Sequence, residues 1–235
     1  MFTLKEECPE YFRYQGRRIS KKLSDTNVNL LNEHYNKHTL DKKIIDYYKV
    51  RDVKKKINFN NSNFSQINLE IGFGDGEYLL RSACSRPKEL FIGVDVYVNG
   101  IAKVLKKILE HGIENIILSN INCLFFLDSL SSKSIDNITI INPDPWTKKK
   151  HHKRRLISFQ NIQLFNYVTK YKNSTKITTD SESYVESIKE IFHEKKEFLD
   201  ELKFETLNKN DELYGISRYQ RKAIEKGQKI YLLTI

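Results

Sequence analysis

The strongest constraint on the fold is a regular alternation of short apolar runs with segments of helical periodicity, which begins near residue 67. Alternation of this kind predicts a parallel sheet with helices on both of its faces. Five runs have this pattern and two further strand candidates follow them: 67–71, 90–96, 115–120, 135–142 and 175–180, then 204–208 and 229–235. The sequence therefore predicts an α/β fold with a Rossmann-like, doubly wound, mostly parallel, seven-stranded sheet. Ligands of such sheets bind at the carboxyl ends of the strands.

The first 60 residues lack sustained periodicity and are rich in Lys, Asn and Tyr. They predict a basic, partly flexible N-terminal arm, in which a helix is possible around 26–50. A polar link at 58–64 leads into the alternating region. A chain of 235 residues has the length of one large domain with an appendage. We therefore expect an arm over 1–60 and one domain over 61–235.

The sequence LEIGFGDGEYLL places Gly72, Gly74 and Gly76 between the first strand and a helix. Glycine lets the backbone take positive φ and lets a ligand approach closely, although a tight turn without a ligand has the same pattern. Glu70 stands just before these glycines. Its charge would repel a pyrophosphate but attract a cofactor that carries a sulfonium and an ammonium group. The turn therefore favours S-adenosylmethionine over NAD.

Two further polar residues follow predicted strands. Asp95, at the end of the second strand, is placed to accept hydrogen bonds from both hydroxyls of a ribose. Asn122, just past the third strand, is placed where an adenine edge would lie, because its amide both donates and accepts. An ordinary loop asparagine is the alternative for Asn122.

The fourth strand ends in INPDPW, where Pro143 and Pro145 flank Asp144. The prolines fix φ on both sides of this acid and restrict Asn142 and Asp144 to extended conformations. Less conformational entropy is then lost when the carboxylate is aimed at a ligand. Trp146 offers a flat apolar face, either for stacking on a base or for packing in the core, and the sequence leaves both alternatives open.

A dense basic run follows this motif. Six of the eight residues from 148 to 155 are Lys or Arg and none is acidic, and the first 60 residues hold 14 Lys and Arg against 8 Asp and Glu. Charge concentrated in two places is typical of a phosphate-binding surface, whereas a solvated tail is the alternative for the first segment. The candidates for RNA contact in the run are Lys148, Lys150, His151, His152, Lys153, Arg154 and Arg155.

Several other classes of protein are excluded. No stretch approaches the roughly 18–20 apolar residues of a membrane helix, and acids stand where a signal peptide would be apolar. His151 and His152 lack an acid or thiol partner, and Cys8, Cys84 and Cys123 have no metal-ligand spacing. We therefore expect a cytoplasmic protein with free thiols, no metal and no membrane association.

Four segments, EIGFGDGEYLL, FIGVDVYVNGI, SIDNITIINPDPWTKKKHHKRRL and TTDSESYVESI, resemble in order and spacing the bacterial tRNA (guanine-N7-)-methyltransferase family. The resemblance covers about residues 65–235 and implies a class I S-adenosylmethionine-dependent methyltransferase fold. It also implies methyl transfer to N7 of the variable-loop guanosine of tRNA, at position 46 in the standard tRNA numbering.

The resemblance assigns roles to individual residues. Glu70, Asp95 and Asn122 fall on cofactor-binding positions, and Asp144 falls on an acid that is both cofactor-proximal and catalytic. The positions that the resemblance assigns to substrate are Lys148, Asp180, Ser217, Arg218, Tyr219 and Gln220.

The chain departs from the family pattern at five of these and neighbouring positions. Asp95 is one methylene shorter than the usual glutamate, and Asn122 replaces an aspartate. Asn142 replaces a phenylalanine, Ser181 a tryptophan and Gln220 a glutamate. We expect the fold and the substrate class to survive these changes. The neutral amide of Gln220 is expected to loosen the placement of the guanine.

Three rival interpretations remain at this stage. INPDPW also resembles the Asn-Pro-Pro-Tyr motif of amino-directed methyltransferases, except that an acid stands between its prolines. A tRNA-binding protein that has lost catalysis would accommodate the departures at Asp95, Asn122 and Gln220. An NAD oxidoreductase would explain neither the basic run nor Glu70. We expect tRNA as the partner, and a monomer or weak homodimer as the assembly.

Overall fold

The computed structural model describes residues 22–59, 62–199 and 202–235, so residues 1–21 of the expected arm lie outside the described residues. The strands are β1 (Ile67–Ile71), β2 (Leu90–Val94), β3 (Ile116–Ser119), β4 (Asn137–Ile141), β5 (Thr175–Thr179), β6 (Lys203–Thr206) and β7 (Tyr231–Thr234). The helices are α1 (Asp25–His34), α2 (Asp41–Val50), α3 (Glu77–Ser85), α4 (Val98–His111), α5 (Cys123–Asp128), α6 (Phe159–Val168), α7 (Glu182–Glu194) and α8 (Arg218–Glu225).

The strands form one seven-stranded sheet in the order β3-β2-β1-β4-β5-β7-β6. Strands β1 to β5 are parallel, and β7 lies antiparallel between β5 and β6. The predicted doubly wound, mostly parallel sheet is therefore confirmed. The direction of winding reverses between β1 and β4, so the crevice at the carboxyl ends of these two strands is the expected ligand site.

The central elements follow from their sequences. All five residues of β1, INLEI, are buried, as expected for a parallel strand covered by helices on both faces. Helix α4 buries one apolar stripe and ends at Gly112, whose φ is 61°. The predicted stop of this helix at Gly112 is confirmed, because a residue in the left-handed region ends a helix at lowest cost when it is glycine.

Helices α1 and α2 pack against the β3 side of the sheet and against the core. Tyr35, just after α1, and Ile44 of α2 are 1% and 0% exposed. Between the two helices, Thr39 forms a parallel bridge with Leu118 of β3. The described part of the first 60 residues is therefore packed onto the sheet through apolar side chains. These side chains are not spaced with a sustained period in the sequence. No helix of the described residues is long and apolar enough to cross a membrane.

Two helices have no counterpart among the elements expected from the sequence, α5 and α8. Helix α8 had a local signal: the hydroxyl of Ser217 accepts a hydrogen bond from the backbone N–H of Gln220 at 3.1 Å. The Ser-x-x-Gln spacing is that of a capping box. Strand β6 ends at Thr206, so the expected range 204–208 runs past its end.

Candidate active site

The glycine turn after β1 adopts backbone conformations that favour glycine. Gly72 and Gly76 have φ angles of 75° and 74°. A Cβ atom on Gly76 would collide with the side chain of Val104, so this glycine also lets the turn pack against α4. Nothing lies within 4 Å of the place where a Cβ atom of Gly72 would stand. The backbone at Gly72 is therefore open to the approach of a ligand.

Asp95 follows β2 and is held against the glycine turn by two backbone amides. Its Oδ2 accepts from the N–H of Gly74 at 2.7 Å, and its Oδ1 accepts from the N–H of Tyr97 at 2.8 Å. Burial raises the pKa of Asp95, the two amides oppose that rise, and the charge of Asp144 adds to it. The acid assigned to the ribose therefore lies beside the turn and within electrostatic range of Asp144.

Glu70, in β1, is only 4% exposed. Its Oε2 atom has no hydrogen-bond partner among the described residues. Burial raises the pKa of Glu70 to about 8, and the nearby charge of Asp95 contributes to the rise. A buried carboxylate with an unsatisfied oxygen is stabilised most by a cation. These residues fit S-adenosylmethionine, which carries a sulfonium and an ammonium group and no phosphate.

Asp144 lies exposed in the loop after β4, and partial loss of hydration raises its pKa. Its charge in turn raises the pKa of Asp95 and of Tyr184. Asp95 therefore lies within electrostatic range of two other carboxyl groups, that of Glu70 in β1 and that of Asp144 after β4. Such an environment opposes a phosphate and favours a cation.

The backbone of the INPDPW loop differs from the expected extended form. Asn142 and Trp146 have φ angles of 48° and 41°, a region that side chains other than glycine rarely adopt. The prediction that Pro143 keeps Asn142 extended is therefore wrong. Asparagine tolerates this region better than most residues, and the N–H of Asn142 is anchored to the carbonyl oxygen of Thr178 at 2.9 Å. The chain can turn away from β4 while this last sheet contact is kept.

Asn142 also brings Asp180 to this loop. Its Nδ2 donates to Oδ1 of Asp180 at 2.8 Å, and its Oδ1 accepts from the hydroxyl of Thr178 at 3.4 Å. In the amino-directed alternative, the amide oxygen of this asparagine would accept from the exocyclic amine of a base. One of the two lone pairs of this oxygen is already used by Thr178, so only the other is available to such an amine.

The basic run forms a 3₁₀ segment over Lys149–Arg154. Its exposed cations are Lys148, Lys149, Lys150, Lys153 and Arg154. Within residues 22–59, 62–199 and 202–235, none of these cations forms a salt bridge. The positive charge of this surface is therefore not neutralised by the described part of the protein, and it remains available to an anionic partner.

Trp146 lies between two residues of the basic run. The ring of His151 meets it edge-on at a centroid distance of 5.7 Å, and the guanidinium of Arg154 lies 5.1 Å from its ring centre. Trp146 belongs to none of the buried apolar clusters of the described residues, so it is not a core residue there. His152 is half-buried, and its Nε2 has no partner in the same part of the chain.

Arg155 differs from the other cations of the run. It is 7% exposed, its Nε donates to the carbonyl oxygen of Pro145 at 2.8 Å, and its guanidinium lies 4.9 Å from the ring centre of Tyr184. This corrects the expectation that Arg155 contacts RNA. Its guanidinium points inward because it holds the loop that carries Asp144.

Asn122 is the N-cap of α5, and its Oδ1 accepts from the N–H of Leu124 at 2.9 Å. The acceptor half of its amide is therefore already engaged in the helix cap, which reduces what it can offer to an adenine edge.

Asn122 also lies on the wall of a cavity of about 260 Å³. The other lining residues are Tyr48, Arg51, Leu124, Phe125 and Asp128.

The stretch from Ser217 to Gln220 divides into exposed and buried residues. Arg218 and Tyr219 are exposed, Tyr219 to 72%, whereas Gln220 is wholly buried. The Oε1 of Gln220 accepts from a backbone N–H at 3.2 Å, and its Nε2 donates to the hydroxyl of Thr178 at 3.0 Å. This corrects the expectation of direct substrate contact by Gln220, because both ends of its amide are used inside the protein.

Two residues near the site were not identified from the sequence, Asn120 and Asp41. The Nδ2 of Asn120 donates to the carbonyl oxygen of Asp95 at 2.8 Å. Asp41 is fully buried and accepts from the N–H of Asn120 at 3.1 Å, from the hydroxyl of Tyr35 at 2.6 Å and from the hydroxyl of Ser119. Two polar residues, Ser119 and Asn120, follow the apolar run of β3, and this change could have identified Asn120 from the sequence. Asp41 had no such signal, since Asn120 lies 79 positions away in the chain.

The described residues contain no group of three or more His, Cys, Asp or Glu side chains arranged to hold a metal ion.

Comparison with known proteins agrees with this geometry. A family model described as "Putative methyltransferase" matches residues 65–233. A tRNA (guanine-N(7)-)-methyltransferase of Bartonella henselae is 32% identical over 237 residues, with 93% of each chain covered. The chain belongs to the tRNA (guanine-N7-)-methyltransferase family. The match to the family model includes β1 to β6, the first three residues of β7 and the loop that carries Asp144.

This tRNA (guanine-N7-)-methyltransferase family member is also similar to a longer protein. A "Bifunctional methyltransferase" of Rickettsia felis is 36% identical over 222 residues, which is 92% of this chain and 38% of that protein. The chain therefore spans well under half the length of that relative. Among solved structures, the 16S rRNA methyltransferase KamB matches with a TM-score of 0.54 and 14% identity, over 74% of this chain and 89% of that chain. This last likeness shows a shared fold.

Proposed function

We propose that this chain transfers a methyl group from S-adenosylmethionine to N7 of a guanosine in tRNA. The observation that carries the proposal is the position of Asp144. It lies in the electrostatic environment of the acids at the glycine turn, and the unneutralised basic run begins four residues further along the chain. Membership of the tRNA (guanine-N7-)-methyltransferase family supports the same reaction.

The cofactor supplies an electrophilic methyl group bound to a sulfonium. Asp95, oriented by backbone amides, has the chemistry to accept hydrogen bonds from ribose hydroxyls. Asp144 provides negative potential for the cationic end of the cofactor, and Glu70 adds to it once the bound cation has ionised it. Gly72 leaves its backbone open to close approach. Asn122 remains our candidate for contact with the adenine edge.

N7 of guanine carries a lone pair in the plane of the ring and no proton, so no base is needed to uncover the nucleophile. Catalysis then depends on in-line positioning and on stabilisation of the positive charge that develops on the imidazole ring. Asp144 has the charge and the exposed position to supply that stabilisation. Asp180, held by Asn142 at the same loop, is our candidate for contact with the base.

The basic run provides phosphate contacts that position the RNA with little reading of its sequence. The exposed contact residues of this proposal are Lys148, Lys149, Lys150, Lys153, Arg154, Arg218 and Tyr219. The half-buried residues His151, His152 and Ser217 remain candidates. We further propose that the guanosine is the variable-loop residue at position 46. The protein is proposed to act in the cytoplasm, without a metal, as a monomer or weak homodimer.

The test is a methyl-transfer assay on unmodified tRNA, followed by chemical cleavage at N7-methylguanosine. We expect a cleavage band in the variable loop that depends on both the protein and S-adenosylmethionine. Methylation of an exocyclic nitrogen would contradict the proposal and favour the amino-directed alternative. Binding of tRNA without binding of S-adenosylmethionine in a calorimetric titration would favour a protein that has lost catalysis, the alternative raised by the departures at Asp95 and Asn122.

A further inference from the structure

A continuous line of side-chain hydrogen bonds joins α8 to Asp180 at the edge of the site. The Nε2 of Gln220 donates to the hydroxyl oxygen of Thr178 at 3.0 Å. That hydroxyl donates to Oδ1 of Asn142 at 3.4 Å. The Nδ2 of Asn142 donates to Oδ1 of Asp180 at 2.8 Å. Three elements, α8, β5 and the loop after β4, are thereby connected through polar side chains.

The chemistry of the groups sets the direction of every bond in this line. Oε1 of Gln220 accepts from the backbone N–H of Ile216 at 3.2 Å, so the amide nitrogen of Gln220 faces Thr178. Thr178 has one hydroxyl proton. Because its oxygen accepts from Gln220, the proton is directed to Asn142. The oxygen of Asn142 is then the acceptor, which leaves its amide nitrogen to hold Asp180.

Burial strengthens the inner part of this line of hydrogen bonds. Thr178 and Gln220 are both 0% exposed, whereas Asn142 and Asp180 are half-buried. A buried hydrogen bond is strengthened by the low local dielectric, and an unmade one leaves a polar group unsatisfied at high cost. The buried end of the line is therefore rigid, and it specifies the orientation of the half-buried acid at the other end.

We propose that Thr178 and Gln220 are positioning residues that fix the carboxylate of Asp180 for recognition of the substrate RNA. The inference rests on the proposed function, in which Asp180 contacts the base. It assigns to Gln220 an effect on substrate binding that passes through Thr178 and Asn142 and needs no contact with RNA. We expect the loss of the Thr178 hydroxyl to leave binding of S-adenosylmethionine unchanged, because Asp95 is held by Gly74 and Tyr97 and not by this line.

The test compares two matched threonines of β5. Thr178→Val removes the hydroxyl that links Gln220 to Asn142. Thr175→Val is the control, because Thr175 is 1% exposed in the same strand and its hydroxyl has no partner among the described residues. Thr178→Ser keeps the hydroxyl and serves as the rescue.

We expect Thr178→Val to raise both the KM for tRNA and the Kd for tRNA by about tenfold, the effect of losing one buried hydrogen bond. Its Kd for S-adenosylmethionine should stay at the wild-type value. Thr178→Ser and Thr175→Val should leave the KM for tRNA near the wild-type value. Equal tRNA affinities for Thr178→Val and Thr175→Val would overturn the inference.

Asn142→Ala keeps the measurement decisive if Thr178→Val does not fold, because Asn142 is half-buried at a loop. Its tRNA affinity should also fall about tenfold, and an unchanged affinity would overturn the inference. The methylated atom decides the proposed function separately. If N7 is methylated and the variants bind tRNA alike, the inference fails and the function stands. If the variants differ as expected and another atom is methylated, the function fails and the positioning line stands.

Discussion

The Nε atom of Arg155 donates a hydrogen bond to the carbonyl oxygen of Pro145 at 2.8 Å. The last cation of the basic run is thereby bound to the proline that follows Asp144. The acid loop and the basic run form one folded unit, in which exposed cations face the solvent and one buried cation holds the loop.

Replacing Arg155 with Met keeps a long side chain in the core but removes the guanidinium. We expect kcat at saturating tRNA to fall about tenfold, because the Pro145 carbonyl loses its donor and the loop of Asp144 loses its anchor. The salt dependence of tRNA affinity should be that of wild type. Lys153→Met is the matched comparison at an exposed position and should make that dependence shallower. A shallower dependence in the Arg155 variant as well would mean that Arg155 contacts phosphate.

Asp144→Asn removes the charge of the acid while keeping its shape. We expect kcat for tRNA methylation to fall by about 10²-fold, since charge on the imidazole ring of guanine is no longer offset. Asp75→Asn is the control, because Asp75 lies in the glycine turn but pairs with Lys103 at 2.9 Å on the surface. Single-turnover kinetics would measure both. Near wild-type turnover of Asp144→Asn would exclude the proposed role of Asp144.

Binding of S-adenosylmethionine should release a proton from Glu70. The pKa of this buried acid is raised to about 8, so it is largely protonated at neutral pH, and a cationic ligand favours its ionised form. Cofactor affinity should therefore increase as the pH rises from about 6 to about 8. Titration calorimetry in buffers of different ionisation enthalpy measures the released proton. Glu70→Gln should bind more weakly and without this proton release. Proton release that persists in the variant would assign it to another group.

Glu70 should also make the free protein less stable at higher pH. Its folded pKa of about 8 lies above its ordinary value of 4.5, so the unfolded chain ionises first. Its contribution to stability is complete below a pH of about 4.5 and is lost as the pH rises to about 8. We expect the Tm of Glu70→Gln, relative to wild type, to increase between these two pH values. Thermal unfolding across this range would show a constant difference if Glu70 were ionised throughout.

The affinity for tRNA should decrease steeply with salt, because the exposed cations displace counterions from phosphates. Replacing Lys149 and Lys150 together with Gln should lower the slope of log Kd against log salt by roughly 1 to 2. The matched control replaces Lys106 and Lys107 with Gln, since both pair with Glu110 on α4. Filter binding at several salt concentrations measures the slopes. Equal slopes for the two double variants would place the RNA elsewhere.

Much of the fold was predictable because its signals are local. The short, mainly apolar strand β1, the glycines after it and the stop at Gly112 are each recognisable within a few residues. Helix α8 was missed although Ser217 and Gln220 carry a capping signal, because the segment around it is strongly polar. The packing of α1 and α2 had no such signal, since their buried side chains contact elements distant in the sequence.

The sequence by itself determined which strands form, where glycine opens the backbone, and that an acid adjoins a basic run. Only the tertiary structure decided which of these side chains are exposed and which are buried and bonded within the protein. Arg155 and Gln220 carry polar groups like those of their neighbours, yet both side chains are buried and form hydrogen bonds within the protein. The departures at Asn142 and Gln220, unrelated along the chain, meet through Thr178. The physical reason is that periodicity and turn chemistry act over a few residues, whereas the partner of a buried polar group is set by whichever element packs against it.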